Sequence, residues 1–140
     1  MKLDQELIKS YLETDYLILP IDMVVNIGRE NKRLSYEMHN SNWENFAIIT
    51  AWNPFSDILP HEENLIRNLK MLKELVEADY FIYPALGKSK DNYWKPEESW
   101  CVFNISKEAA IAFGKRYDQN AIVYATINNE PSLVYCVSSL

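Results

Sequence analysis

The sequence predicts a single-domain α/β or α+β fold over residues 1–140: a mixed β-sheet of about five to seven strands with about three helices packed on it. Three observations predict it. Helical and strand-like hydrophobic periods alternate along the chain in the order α β β, then β α β β, then α β β. At 140 residues the chain has the length of one domain. With 48% hydrophobic and 13% aromatic residues, it has enough apolar surface for a core without metals or disulfides.

Leu3, Leu7, Ile8, Tyr11 and Leu12 recur at helical spacing between charged residues, which predicts an amphipathic helix over 2–13. Residues 14–19 are β-rich and stop at Pro20. In 22–27, Met23, Val25 and Ile27 face one side, a half-buried strand that ends at Gly28. After a charged connector, Leu34 to Met38 fits either a short helix or a strand. Phe46-Ala-Ile-Ile-Thr-Ala-Trp52 is the most apolar run and predicts a strand buried on both faces, ended by Asn53-Pro54. Leu65, Leu69, Leu72 and Val76, widened by Ile66 and Leu75, form the apolar stripe of a helix over 61–77; Pro60, Glu62 and Glu63 suit its start. Strands are expected at 79–83 and 100–105, joined by a polar loop from Lys88 to Ser99 that carries Tyr93 and Trp94. Ser106 is a natural N-cap for a helix over 107–117. The runs 121–127 and 133–137 flank Asn128-Asn-Glu-Pro, which is hairpin chemistry.

Composition excludes several functions. A net charge of −6, spread over both halves, disfavours nucleic acid and anionic membrane as partners. The first residues carry acids where a signal peptide has an apolar stretch, and no apolar run is as long as a membrane span, so a soluble, cytoplasmic protein is expected. Gly28, Gly87 and Gly114 are isolated and cannot build a glycine-rich phosphate loop, so no nucleotide cofactor is expected. Cys101 and Cys136, with His39 and His61, show no ligand spacing, so no metal is expected. Both cysteines lie in β-like runs and read as buried, reduced thiols. Gly114 falls inside a helix at a cost of about 1 kcal/mol relative to Ala, so the backbone there should lie close against the sheet.

Polar residues gather at three places. The first is the Thr50 to Ser56 turn, with Asn64, Arg67 and Asn68 on the following helix. A ligand cup would use Thr50, Trp52, Asn53, Ser56 and Asn64, with Arg67 supplying charge. The structural alternative has Asn53 capping a turn, Ser56 capping the helix, Trp52 in the core and Arg67 pairing with Glu63. The second place is Trp94-Lys-Pro-Glu-Glu-Ser99, with Glu98 and Ser99 as candidates. Adjacent carboxylates on extended backbone project to opposite sides, so they are no ready-made acid/base pair. One could be buried with its pKa raised, or could pair with a lysine. The third is Asp118-Gln119-Asn120, whose Gln119 either meets a ligand or satisfies helix-end carbonyls. No spacing nominates a catalytic triad, and whether the protein is an enzyme stays open.

These stretches resemble a bacterial family known as domain of unknown function 3293. The similarity is carried by Phe46-Ala-Ile-Ile-Thr-Ala-Trp-Asn-Pro-Phe-Ser56, Glu63-Asn64 with Arg67 and Leu72, and Trp94 with Pro96-Glu-Glu-Ser99. It continues through Ile105-Ser106 and Gly114-Lys-Arg-Tyr-Asp-Gln-Asn-Ala-Ile-Val123, and covers about residues 14–137. The chain departs from it at Glu77-Ala-Asp-Tyr80, where a glycine is expected, so a different turn is expected there. The resemblance implies a small bacterial protein and assigns no activity, cofactor or catalytic residue.

Two functions follow as expectations. One is binding, with or without turnover, of a small polar or nucleotide-like ligand at Thr50–Ser56 and the following helix. The other is an acidic protein-interaction module of inhibitor or immunity type, motivated by the charge and the stock of Trp and Tyr. The sequence is silent on oligomeric state.

Overall fold

The computed structural model describes residues 4–90 and 95–137. Four helices, α1 (Gln5–Leu12), α2 (Lys32–Asn40), α3 (His61–Glu77) and α4 (Lys107–Arg116), accompany seven strands. These are β1 (Thr14–Ile18), β2 (Met23–Val25), β3 (Asn45–Ile49), β4 (Phe81–Ser89), β5 (Glu97–Phe103), β6 (Ala121–Thr126) and β7 (Ser132–Tyr135). They form one sheet in the order β2-β1-β4-β5-β3-β6-β7.

Every pairing is antiparallel, where the sequence suggested a mixed sheet. The reason lies in how the two helical crossovers close. β3 and β4, joined by α3, run in the same direction but do not touch, because β5 inserts antiparallel between them. Likewise β5 and β6, joined by α4, are separated by β3. The segment β3-α3-β4-β5-α4-β6 is thus the split βαβ arrangement of ferredoxin-like folds. The β1–β2 hairpin extends one edge and β7 the other.

α3 and α4 cover one face through Met71, Leu75, Ala110, Phe113 and Tyr117 against Ala47, Ile49, Val102 and Ile122. The opposite face packs Leu34 and Met38 of α2 on Phe46, Ile48, Cys101 and Phe103. The ambiguous segment at Leu34 is helical because Asn31 caps it, its Oδ1 accepting from the Leu34 N–H at 2.9 Å, and because Leu34 and Met38 lie one turn apart on the buried side.

α3 has the expected bounds but turns a different face inward. Asn64, Asn68, Met71 and Leu75 are buried, whereas Leu65, Leu69 and Val76 of the apolar stripe are exposed. β4 and β5 extend further into the expected loop than periodicity indicated, because they pair with each other from Phe81↔Phe103 to Gly87↔Glu97. Tyr93 and Trp94 of that loop lie outside the described residues. After α3, Asp79 takes the left-handed conformation (φ 64°) that a glycine would ordinarily supply. At Gly114 a Cβ would sit 2.5 Å from Cys136 Sγ and 3.1 Å from Ile122 Cγ2, so α4 does lie against the sheet there. Both cysteines are buried free thiols.

Candidate functional site

β3 delivers the chain into a turn in which Asn53 (φ 45°), Phe55 (φ 50°) and Ser56 (φ 64°) are all left-handed. Each costs of the order of 1 kcal/mol in a non-glycine residue, so something outside the turn must hold it. α3 provides the hold. Asn64 Oδ1 accepts from the Asn53 N–H at 2.8 Å, while its Nδ2 donates to Asn53 Oδ1 at 2.7 Å. One turn on, Asn68 Oδ1 accepts from the Ala51 N–H at 2.9 Å, and its Nδ2 donates to the Glu98 carbonyl at 3.1 Å. Arg67 Nε donates to the Ala51 carbonyl at 2.9 Å and its Nη2 to the Tyr117 carbonyl at 2.6 Å. From the far side, Gln119 Nε2 donates to the Trp52 carbonyl at 3.1 Å and the Phe55 N–H to the Asp118 carbonyl at 2.6 Å. Side-chain amides and Arg67 take up backbone groups of Ala51, Trp52 and Asn53, and that requirement brings Asn64 and Asn68 inward.

The locked turn forms one end of a cavity of about 100 Å³ between α1 and the sheet. Leu7, Ser10 and Tyr11 of α1 line its upper side, and Tyr16, Gly87, Glu97, Ser99, Ile48 and Val123 its sheet side. Strand alternation selects them. Tyr16 pairs with Gly87, and Gly87 with Glu97, so the three form one row across β1, β4 and β5. The Tyr16 ring lies over Gly87, with Cε1 3.6 Å from where a Cβ would be.

Burial pushes the Glu97 carboxyl up to about 7. Burial also raises the Tyr11 phenol, with hydrogen bonding from Ser56 and Asn120 opposing and the Glu97 charge adding to the rise. The Tyr16 phenol rises chiefly for the same reason, burial. Asn120 is 1% exposed, and its Nδ2 donates to Ser56 Oγ at 3.0 Å. Its Oδ1 has no partner among the described residues.

The candidates from sequence therefore divide. Thr50, Asn53, Ser56, Ser99 and Gln119 line the cavity, with Asn120 behind Ser56. Trp52, Asn64 and Arg67 stand outside the lining, the last two in the hydrogen bonds that hold the turn. The Glu98 side chain is exposed, and its carbonyl accepts from Thr50 Oγ1 at 2.7 Å. Ser56 does not cap α3, whose N-cap is Pro60, and Arg67 bonds carbonyls rather than Glu63. Sequence reasoning passes over Tyr11 and Tyr16, and of the adjacent carboxylates, one of which could be buried, it nominates Glu98 where Glu97 lines the cavity. Among the described residues no three His, Cys, Asp or Glu side chains gather as a metal set requires. No helix among them is long and apolar enough to cross a membrane.

A family model described as "Protein of unknown function (DUF3293)" matches residues 49–122, just over half of the chain, and the chain belongs to that family. The match runs from the end of β3 to the start of β6, so it takes in the locked turn, α3 and Glu97 but neither Tyr11 nor Tyr16. No curated protein and no solved structure matches the chain.

Proposed function

We propose that this protein binds a compact polar ligand in the cavity between α1 and the sheet, at the Thr50–Ser56 turn. The supporting observation is the convergence, in one cavity, of a largely buried carboxyl (Glu97), two phenols (Tyr11, Tyr16) and the Ser56 and Ser99 hydroxyls. Burying such groups without a use costs stability. A cavity of about 100 Å³ has room for a handful of waters or one molecule of that size, at roughly 10–15 Å³ for each water. A small polar ligand suits it better than a nucleotide. The test is a thermal-shift screen of compact metabolites on the full chain, repeated on Ser10→Phe, which fills the cavity from α1. Stabilisation that is lost in Ser10→Phe supports the reading. No stabilisation by any compound, or stabilisation that survives the substitution, overturns it.

The outward face of α3 favours a second reading, an interaction module without catalysis. Leu65 (37% exposed), Leu69 (51%) and Val76 (56%) form, with Leu72, an unpartnered apolar seam. Its spacing of four, three and four reads the same in both directions. An antiparallel second copy would therefore seat Leu65 on Val76 and Leu69 on Leu72. Sedimentation showing a concentration-dependent dimer that Leu69→Glu abolishes supports this reading; a monomer at all concentrations refutes it.

A further inference from the structure

We infer that the ligand enters the cavity with a protonated nitrogen foremost, an ammonium or guanidinium-type group that pairs with the Glu97 carboxylate and lies between the Tyr11 and Tyr16 rings. The inference rests on the reading of the cavity as a ligand site and adds the chemical class of the ligand.

Hydroxyls of Tyr11, Tyr16 and Ser56 line the cavity as neutral donors, and the one anionic side chain on the described lining, Glu97, has no cation paired with it. The ion pairs among the described residues are Lys9–Glu13, Lys73–Glu77 and Arg116–Glu74, and none involves Glu97. The one cation on the described lining is Lys95, which is exposed. Arg67 spends its Nε and Nη2 on the Ala51 and Tyr117 carbonyls. A second acceptor, Asn120 Oδ1, is buried behind Ser56 with no partner among the described residues. An anion entering here would meet the Glu97 carboxyl with no buried cation on the described lining to offset it. A cation supplies the missing counter-charge and restores the charge of Glu97 in a site where charge-assisted hydrogen bonds are strong. Aromatic faces add to the attraction. Gly87 lies between Tyr16 and Glu97 in their row across the sheet, with the Tyr16 ring in van der Waals range of where its Cβ would be.

Binding should also respond to pH. The titratable groups facing Glu97 are the Tyr11 and Tyr16 phenols, both raised above their ordinary range, with Lys95 on the same lining. The carboxyl, pushed up to about 7, changes charge near neutrality, so a cation binds more tightly as pH rises through that value.

The experiment is a calorimetric and thermal-shift titration of the full chain with three probe classes of similar size. The cations are ethanolamine and methylguanidine, the anions acetate and inorganic phosphate, and the neutral probe acetamide. The expected result is saturable stabilisation by the cations alone, tightening above pH ~7. Glu97→Gln should weaken it by about tenfold or more, while Tyr11→Phe weakens it less. Glu97→Gln removes a buried charge and keeps its shape, so the variant is expected to fold. Saturable binding of acetate, phosphate or acetamide instead, lost in Ser10→Phe, would overturn the cationic class and leave the ligand-site reading standing. Cation binding that is unchanged in Glu97→Gln would also overturn the inference. No binding of any probe would overturn both.

Discussion

Glu97→Gln on the free protein isolates the energetic cost of keeping a carboxyl in this cavity. Burial holds the group at about 7, against roughly 4.3 for an ordinary glutamate. Below the lower value both the folded and the unfolded chain hold the proton, and the residue does not contribute to pH dependence. Between the two values the folded chain keeps a proton that the unfolded chain has released, so stability falls as pH rises. Above about 7 both are ionised and the loss is complete, amounting to about 3 kcal/mol. Glutamine has nearly the same shape and no charge. The variant should therefore match the natural protein near pH ~4 and exceed it by about 3 kcal/mol near pH ~8. In urea this is a midpoint difference of about 1–3 M, since slopes for small proteins run about 1–3 kcal/mol/M. The assay is a set of urea unfolding curves for both proteins across this range, with the slopes compared to confirm that the folded states are equally compact. Parallel pH profiles would refute the reasoning. So would a variant less stable at alkaline pH, which would mean that the carboxylate already has a favourable partner.

Three further predictions concern the scaffold. Asn64→Leu removes both halves of the amide pair with Asn53 and leaves the Asn53 N–H buried and unpaired; denaturation should show a loss of about 1–3 kcal/mol, and a loss near zero would contradict the locking role. On α3, Met71→Ala should cost about 2–5 kcal/mol, whereas Leu69→Ala should stay within about 0.5 kcal/mol; the reverse ranking would mean that the helix presents its leucine stripe to the sheet. Gly114→Ala should lower the melting temperature despite alanine's better helix propensity, because its Cβ would fall 2.5 Å from Cys136 Sγ; a stabilised variant would contradict the close approach.

The elements that could be read from sequence are those whose signals are local. Ser106 caps α4 through its own hydroxyl, which accepts from the Ala109 N–H at 3.1 Å. The apolar run at Phe46 became β3 because it is buried on both faces between β5 and β6. The face of α3 was not legible, because hydrophobic period points to Leu65, Leu69 and Val76 while the fold buries Asn64 and Asn68. Those asparagines are buried to serve backbone groups of Ala51, Asn53 and Glu98, partners that only the tertiary fold brings near. The Thr50–Ser56 turn is the polar centre read from the sequence, and Asn53 and Gln119 line the cavity. Much of their hydrogen-bonding capacity goes to structure, which sequence alone could not separate from ligand contact. Choosing between Glu97 and Glu98 needed the β4–β5 register, which puts Glu97 opposite Gly87. Tyr11 sits in an amphipathic helix like any apolar residue, and nothing local shows that it lines the same cavity as a carboxyl 86 positions away.

The central claim, a ligand site under α1 that favours a cationic nitrogen, is tested most directly by following backbone amide resonances while ethanolamine is titrated into the full chain. Saturable shifts confined to Tyr11, Tyr16, Ser56, Gly87, Glu97 and Ser99, and lost in Glu97→Gln, are the predicted result. Shifts that never saturate, that map away from these residues, or that persist unchanged in Glu97→Gln would contradict it.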